Sequence, residues 1–354
     1  MGFFTARRSI QAALPAWAFV AACASFPGTA AGQEPVLVLD GHKGRTWCVA
    51  FSPDGKTIAT GGADAMVRLW DAESGKEKFT LEATPPGPEG PTRGTFSVAF
   101  TPDGKTLLAS VRWCNGKVDR WGFGENVAGG VRVWDLESKK LRYTIDEMEP
   151  FIAVAPDGKT VATATTSPDA RDVSLWDVET GKKAGVLGDR KTPGGPIAFS
   201  PDGKRLAVSA REGSIELWDV RKRKLLVAFR AGYAADLAFA PDGKTLAAST
   251  GGGFTSLKLF EVEDVEDIVL RDSSVYECNN YGRGCLKYSP DGKVLASAKA
   301  GGVYLVSPWT GNLKEMMLCH NRPSITCIAF SPDGKRLATV GNEEKVKLWN
   351  MGEK

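Results

Sequence analysis

One four-residue phrase, Pro-Asp-Gly-Lys, recurs seven times in this chain, each time between two apolar runs. Its prolines are Pro53, Pro102, Pro156, Pro201, Pro241, Pro290 and Pro332. Successive copies lie 40 to 54 residues apart, which is longer than the helical repeats of about 34 residues. A chain of 354 residues with this spacing is expected to build seven similar units rather than two or three unrelated domains.

The phrase has the residues of a tight turn between two strands. Proline fixes φ, aspartate accepts hydrogen bonds from nearby backbone N–H groups, and glycine takes the left-handed conformation. Forty glycines and 20 prolines exceed their average share of about 12% of a chain. The composition and the phrase together predict an all-β fold with a hairpin in every unit.

A third strand follows most copies and ends in an aromatic residue and an acid. The pairs are Trp70-Asp71, Trp134-Asp135, Trp176-Asp177 and Trp218-Asp219, with weaker forms at Phe260-Glu261 and Trp349-Asn350. A short turn and a fourth strand come next, so each unit is expected to hold four strands. The sixth unit has Val306 and Ser307 where the pair belongs, and its outer packing is less well specified.

The chain is predicted to hold seven four-stranded units, most of which end their third strand in Trp-Asp. Over residues 36–351 this pattern resembles the WD-repeat (WD40) β-propeller family. The 40 to 50 residue period is also the scale of propeller blades. The resemblance implies an all-β, seven-bladed propeller of four-stranded antiparallel blades. It also implies a scaffold that binds proteins or peptides without catalysing a reaction.

The two ends of the repeat predict how the ring closes. The seventh unit has only three strands before Lys354, whereas residues 36–39 are an apolar strand ahead of the first unit. We expect strand 36–39 to be the fourth strand of the last blade, because a closed ring hides the strand edges that template aggregation. Residues 34–354 are therefore predicted to form one propeller domain.

Residues 1–33 have the layout of a secretory leader. Arg7 and Arg8 precede an uncharged run over 9–33, which is most apolar over 12–24 and is followed by small residues at 28–31. The apolar part is shorter than the roughly 20 residues of a membrane-spanning helix. We predict an exported, periplasmic or extracellular, bacterial-type protein. Cleavage, lipidation at Cys23 in the lipobox-like Val20-Ala21-Ala22-Cys23, or retention as a membrane anchor all stay open.

Two histidines invite a catalytic interpretation, a base backed by a carboxylate. The family resemblance implies a structural one instead, in which each histidine joins a buried chain of hydroxyl, acid and tryptophan. The pattern maps onto His42, Thr60, Asp64 and Trp70 in the first blade and onto His320, Thr339, Glu343 and Trp349 in the seventh. A buried indole N–H and hydroxyl need partners, which favours the structural role at the two blades that meet at the ring closure.

The seven cysteines include no Cys-x-x-Cys pair, which together with only two histidines argues against zinc. No metal or cofactor is expected. Cys48, Cys285 and Cys327 share one register of the inner strands and are interpreted as core residues. Cys278 and Cys285 bracket residues 279–284, and export would allow a disulfide between them.

The extra residues of the chain are distributed unevenly among its loops. The Pro-Asp-Gly-Lys turns and the turns after the third strands stay short, whereas the insertions fall in the two loop types on the opposite face, at 82–95, 111–130, 165–172, 251–255 and 272–284. The 111–130 insertion carries aromatic and guanidinium groups typical of interface hot spots: Arg112, Trp113, Arg120, Trp121 and Phe123. We predict a partner-binding face there; packing of these rings onto the propeller rim is the alternative.

The charge pattern limits the function. The net charge is +3, of which Arg7 and Arg8 supply two, too little for a general nucleic-acid site. The inner strands carry only Asp236 and Lys287 as charged residues, without a carboxylate pair, nucleophile elbow or phosphate loop. We predict a monomeric, non-catalytic scaffold that binds a protein or peptide and contacts membranes only through an N-terminal anchor. A hydrolase- or lactonase-like propeller enzyme and a structural cell-envelope component are the alternatives.

Overall fold

The computed structural model of the chain describes residues 34–84, 94–114, 127–146, 151–164, 173–188, 195–210, 213–251, 256–266, 268–275, 285–299, 302–320 and 325–352. Over these ranges the chain forms 28 β-strands and no α-helix. The strands make seven antiparallel sheets of four strands each. The inner strands contact one another in a closed cycle, which confirms the predicted all-β, seven-bladed propeller.

Each blade takes four strands that are consecutive in the chain, except the last. The strands of blades one to four are β2 Thr46–Phe51, β3 Thr57–Gly62, β4 Met66–Asp71, β5 Glu77–Glu82; β6 Gly94–Phe100, β7 Thr106–Cys114, β8 Val127–Asp135, β9 Lys140–Ile145; β10 Phe151–Val154, β11 Thr160–Ala164, β12 Val173–Asp177, β13 Lys183–Leu187; β14 Ile197–Phe199, β15 Arg205–Ser209, β16 Ser214–Asp219, β17 Lys224–Arg230. Those of blades five to seven are β18 Tyr233–Phe239, β19 Thr245–Gly251, β20 Ser256–Glu261, β21 Val269–Val275; β22 Cys285–Tyr288, β23 Leu295–Lys299, β24 Gly302–Val306, β25 Leu313–Leu318; β26 Ile325–Phe330, β27 Arg336–Gly341, β28 Val346–Asn350 and β1 Leu37–Leu39.

The seven Pro-Asp-Gly-Lys turns have the expected chemistry. In each turn the aspartate Oδ1 accepts the N–H of the lysine two residues later, at 2.8 to 3.1 Å, and the glycine has φ between 69° and 72°. The turns also touch one another. A methyl group at Gly55 would lie 3.5 Å from Pro332 Cδ, and equivalent contacts of 3.2 to 3.7 Å join the other six turns in a ring. These contacts form the plain face of the disc.

The hydrophobic core is divided among the spaces between blades. Seven apolar clusters are present in the described residues, and each draws its members from two neighbouring blades. A single blade therefore has no core of its own and is stabilised by the blades on either side. Blade six follows the same rule although it lacks the aromatic pair, because Val306 is fully buried in the cluster between blades five and six.

The ring closes through the strand nearest the N-terminus, as predicted. Strand β1 pairs with β28 in the register Leu37↔Leu348, Val38↔Lys347 and Leu39↔Val346. Leu39 is 1% exposed and belongs to the apolar cluster between blades seven and one. One short strand therefore fastens the last blade and fills the joint with the first.

The prediction that 111–130 is a loop was wrong in extent. Strands β7 and β8 continue pairing through Val111↔Gly130 to Cys114↔Val127, so the two ends of the insertion are paired strands that prolong blade two. Branched and aromatic residues favour strand, and Val111 and Trp113 lie in this stretch. The 272–284 insertion is also shorter than predicted, because β21 extends to Val275.

Candidate functional site

The inner strands of all seven blades surround a central channel. Strands β2, β6, β10, β14, β18, β22 and β26 line a cavity of about 730 Å³. Its wall is mostly apolar and its described charged groups belong to Asp236 and Lys287. The inner strands all begin at the face where the insertions are predicted, which makes that end of the channel part of the predicted binding face.

Four inner strands carry a β-bulge at the same level near that mouth. The bulges fall between Thr46 and Cys48, Thr95 and Ser97, Ala234 and Asp236, and Ile325 and Cys327. A bulge redirects the extra side chain and commonly occurs beside binding sites. The extra residues Trp47, Phe96, Ala235 and Thr326 all line the channel.

Trp47 and Phe96 form an aromatic pair across blades one and two. Their rings are stacked with centroids 4.6 Å apart. The Trp47 ring lies directly over the backbone of Gly94, where an added methyl group would come within 2.0 Å of Trp47 Cζ3. Gly94 begins β6 and pairs with Arg112 of β7. The aromatic pair therefore adjoins the root of the β7–β8 hairpin.

The predicted interface residues are placed only in part. Arg112 lies on β7 and is partly buried, and Trp113 pairs with Ala128 of β8. Arg120, Trp121 and Phe123 lie outside the described residues and stay predictions. Tyr233, which begins β18 on the same face, is 64% exposed. Sequence reasoning missed Trp47 and Phe96 as site residues, although their shared register in the inner strands was a usable signal.

The two charged residues of the channel are part of its wall. The Asp236 carboxylate accepts the N–H groups of Leu237 and Leu286, both at 2.8 Å, and so ties blade five to blade six. Burial raises the pKa of Asp236, and the positive charge of Lys287 opposes that shift. The negative charge of Asp236 raises the pKa of Lys287. The described residues hold no group of three or more His, Cys, Asp or Glu side chains suited to a metal.

The first blade contains the hydrogen-bonded chain that the family resemblance implies. Trp70 Nε1 donates to Thr60 Oγ1 at 2.8 Å, and Thr60 Oγ1 lies 2.8 Å from His42 Nε2. Asp64 Oδ1 and Oδ2 lie 2.9 and 3.0 Å from His42 Nδ1. Because the Asp64 carboxylate can only accept, Nδ1 carries the proton donated to it, and in the neutral ring Nε2 then accepts the Thr60 hydroxyl.

The seventh blade contains the same series of tryptophan, threonine, histidine and acid, but its last contact is longer. Trp349 Nε1 donates to Thr339 Oγ1, which lies 2.9 Å from His320 Nε2. Glu343 Oε2 is 3.3 Å from His320 Nδ1, at ion-pair distance but outside hydrogen-bond geometry. The same oxygen is 3.3 Å from Lys347 Nζ. Glutamate is one methylene longer than aspartate and shares its carboxylate with the lysine.

These networks predict that acid lowers the free energy of unfolding in two pH ranges. Burial and the nearby Lys347 lower the pKa of His320, so its contribution is complete above about pH 6.5 and is lost as pH falls through its lower folded value. Burial raises the pKa of Asp64 and Glu343, but other contacts outweigh it and lower both. For Asp64 these are the hydrogen bond and charge of His42, and for Glu343 they are the charges of His320 and Lys347. Their contribution is lost only below about pH 4.

Urea unfolding at about pH 7.5, 5.5 and 3.5 measures this dependence. The loss between the first two values is expected to reach up to about 1.4 kcal/mol per pH unit. The control is His320→Gln, which cannot titrate and should remove the upper range while leaving the part of the lower range that comes from Asp64. A wild-type stability that is unchanged between pH 7.5 and 5.5 would contradict the assignment to His320.

The cysteine and leader predictions are tested only in part. Cys285 and Cys327 are free thiols, and Cys278 lies outside the described residues, so a 278–285 disulfide stays a prediction. Residues 1–33, which include Cys23, also lie outside the residues that the structure describes. Among the described residues no helix is both long enough and apolar enough to cross a membrane.

The sequence is similar to known repeat proteins. A family model described as "WD domain, G-beta repeat" matches residues 33–71, 197–219 and 311–350, which lie in blades one, four, six and seven. These matches cover less than a third of the chain and support its resemblance to WD40 repeats. The chain is 28% identical over 189 residues to periodic tryptophan protein 2 homolog of Dictyostelium discoideum, a match that covers 52% of the chain and 18% of the relative.

Two further relatives match larger parts of the chain. Eukaryotic translation initiation factor 3 subunit I of Bombyx mori is 25% identical over 210 residues, 56% of each protein. Autophagy-related protein 16 of Arabidopsis thaliana is 25% identical over 327 residues, 92% of this chain and 58% of the relative. The chain thus spans less than two thirds of each of these eukaryotic relatives.

Proposed function

We propose that the WD40 propeller is a non-catalytic interaction scaffold that binds a protein or peptide partner at the channel mouth on the face with the long loops. The observation that carries this proposal is the aromatic pair of Trp47 and Phe96, which bulges aim into the channel beside the β7–β8 hairpin. Large, pre-positioned aromatic rings at the centre of a concave surface are the usual anchors of protein interfaces.

The names of the relatives agree with this proposal. One is a subunit of a translation initiation factor and another is an autophagy-related protein. A subunit is by definition part of an assembly, and a rigid propeller that presents loops suits that task. The hydrolase-like alternative gains no support from Asp236, because two backbone N–H groups and Lys287 already engage its carboxylate.

The test compares exposed aromatic residues on the two faces. Tyr233→Ala removes a 64% exposed ring beside the channel mouth, and Trp309→Ala removes a 57% exposed ring in the β24–β25 turn of the plain face. Quantitative pull-downs are expected to lose partner recovery about tenfold or more with the first variant, as for an interface hot spot, and to be unchanged with the second.

Trp47→Ala provides a second variant at the mouth, with its melting temperature measured because Trp47 also packs on Gly94. Equal recovery of all partners by wild type, Tyr233→Ala and Trp47→Ala would exclude the channel mouth. Partner loss with Trp309→Ala alone would move the binding site to the plain face.

We further propose that the protein is exported and that residues 1–33 are its leader. This rests on the paired arginines, the short apolar run and the small residues that follow it. Mass measurement of the mature N-terminus from fractionated cells tests it. Cleavage within the leader, or a lipid on Cys23 that Cys23→Ser removes, is the expected result. A full-length chain in the cytoplasmic fraction would overturn the proposal.

A further inference from the structure

The channel wall brings together two thiols that are far apart in the chain. Cys285 lies on β22 of blade six and Cys327 on β26 of blade seven, and both line the cavity. Their sulfur atoms lie 3.7 and 3.8 Å from the same carbonyl oxygen, that of Ile328. The Cys285 sulfur also accepts the N–H of Ile328, the residue that follows Cys327. The two free thiols therefore lie beside the same peptide unit at the joint between blades six and seven.

The surroundings of the two thiols differ. Cys285 is 4% exposed and its sulfur accepts the Ile328 N–H at 2.8 Å. Cys327 is only partly buried and is open to the cavity. Lys287 lies two residues after Cys285 on the same side of β22 and lines the same cavity. One thiol is thus accessible, and the second lies behind it.

Electrostatics make the accessible thiol the better nucleophile. The hydrogen bond from Cys285 lowers the pKa of Cys327 to about 7, with burial opposing and the charge of Lys287 assisting. Burial and the hydrogen bond with Cys327 raise the pKa of Cys285 well above its ordinary value. The thiolate is the reactive form of cysteine, so attack is expected from Cys327.

We propose that Cys327 is a thiol–disulfide exchange site for small organic disulfides that enter the channel, and that Cys285 is its resolving thiol. In the first step the Cys327 thiolate attacks one sulfur of the disulfide. A bond forms between Cys327 and that sulfur, the original sulfur–sulfur bond breaks, and the other half leaves as a thiolate that takes a proton from water.

In the second step Cys285 gives its proton to water and attacks the Cys327 sulfur, while the Ile328 N–H stabilises the developing thiolate. The Cys285–Cys327 bond forms, the mixed disulfide breaks, and the second half leaves as a thiolate and is protonated. The two protein thiols lose two electrons and two protons, and one organic disulfide becomes two thiols. The product links blades six and seven beside the ring closure.

Peptide mapping of the full chain after treatment with 2-hydroxyethyl disulfide tests the product. Trypsin places Cys285 in residues 284–287, Cys278 in 272–283, and Cys319 with Cys327 in 315–335. We expect a cross-link between 284–287 and 315–335, with fragmentation that assigns it to Cys327. A link between 272–283 and 284–287, or one assigned to Cys319, would overturn the proposal.

Single variants separate the two roles. Cys285→Ser is expected to trap the mixed disulfide on Cys327, whereas Cys327→Ser should show neither adduct nor cross-link. Cys48→Ser, at the same register of blade one and 3% exposed, is the matched control and should behave as wild type. Melting temperatures of the three variants show whether each is folded, because serine keeps the shape of cysteine.

The kinetics provide an independent readout. In the folded protein, Cys327 is expected to react with 4,4′-dithiodipyridine at least about tenfold faster than Cys48, as an accessible thiolate should. Lys287→Gln should slow that reaction about threefold, since part of the thiolate stabilisation is lost. A Cys327 that reacts no faster than Cys48 until urea unfolds the protein would overturn the proposal.

Discussion

Deletion of residues 34–40 is expected to open the ring and give a protein that aggregates. The deletion removes three residue pairs between β1 and β28, together with the bond from Val36 N–H to Leu348 O at 2.8 Å. It also uncovers the edge of β28, and an unpaired strand edge templates association with other chains. Analytical ultracentrifugation and thermal melting measure both effects. A monomer with an unchanged melting temperature would contradict the closure mechanism.

The size of the effect follows from what β1 buries. A leucine side chain contributes about 1.5 to 3 kcal/mol when fully buried, and each backbone hydrogen bond about 0.5 to 1.5 kcal/mol. The sum is comparable with the lower end of whole-domain stability, about 5 kcal/mol.

Two residues of strand β1, one buried and one exposed, provide a matched pair of variants. Leu39→Ala, at 1% exposure, should cost about 2 to 5 kcal/mol, whereas Val38→Ala, at 41% exposure, should cost little.

The double variant His42→Ala with His320→Ala is expected to lower the melting temperature by roughly 8 °C without abolishing partner binding. Each substitution leaves the Thr60 or Thr339 hydroxyl without its acceptor in a buried site, which costs about 1 to 3 kcal/mol per site. A domain of about 320 residues loses roughly 1.5 °C for each kcal/mol. Calorimetry measures the shift, and the pull-down used for Tyr233→Ala measures binding.

Trp70→Phe supplies the control for this prediction, because it removes the indole donor to Thr60 and keeps the contact between Thr60 and His42. A double histidine variant that melts at the wild-type temperature would show that the histidines add nothing to the two hydrogen-bonded networks. Loss of partner binding in the double histidine variant, with the fold retained, would point to a functional role instead.

Local chemistry made much of the fold predictable. The conformation of a Pro-Asp-Gly-Lys turn depends on four consecutive residues and their own hydrogen bonds, as at Asp54 and Gly55. The number of copies predicted the number of blades, and the apolar strand 36–39 ahead of the first unit predicted how the ring closes. The His42 and His320 chains came from the family resemblance, because their members lie up to about 30 residues apart and no local rule relates them.

The repeated phrase and the apolar strand 36–39 were enough to predict the turns, the seven blades and the closing strand, because each depends on residues close together in the chain. The contents of the channel became visible in the assembled ring alone: Trp47 stacks on Phe96, and the sulfurs of Cys285 and Cys327 lie beside one carbonyl oxygen. These partners belong to different blades. Their contact depends on how neighbouring sheets pack around the ring rather than on residues adjacent in the chain.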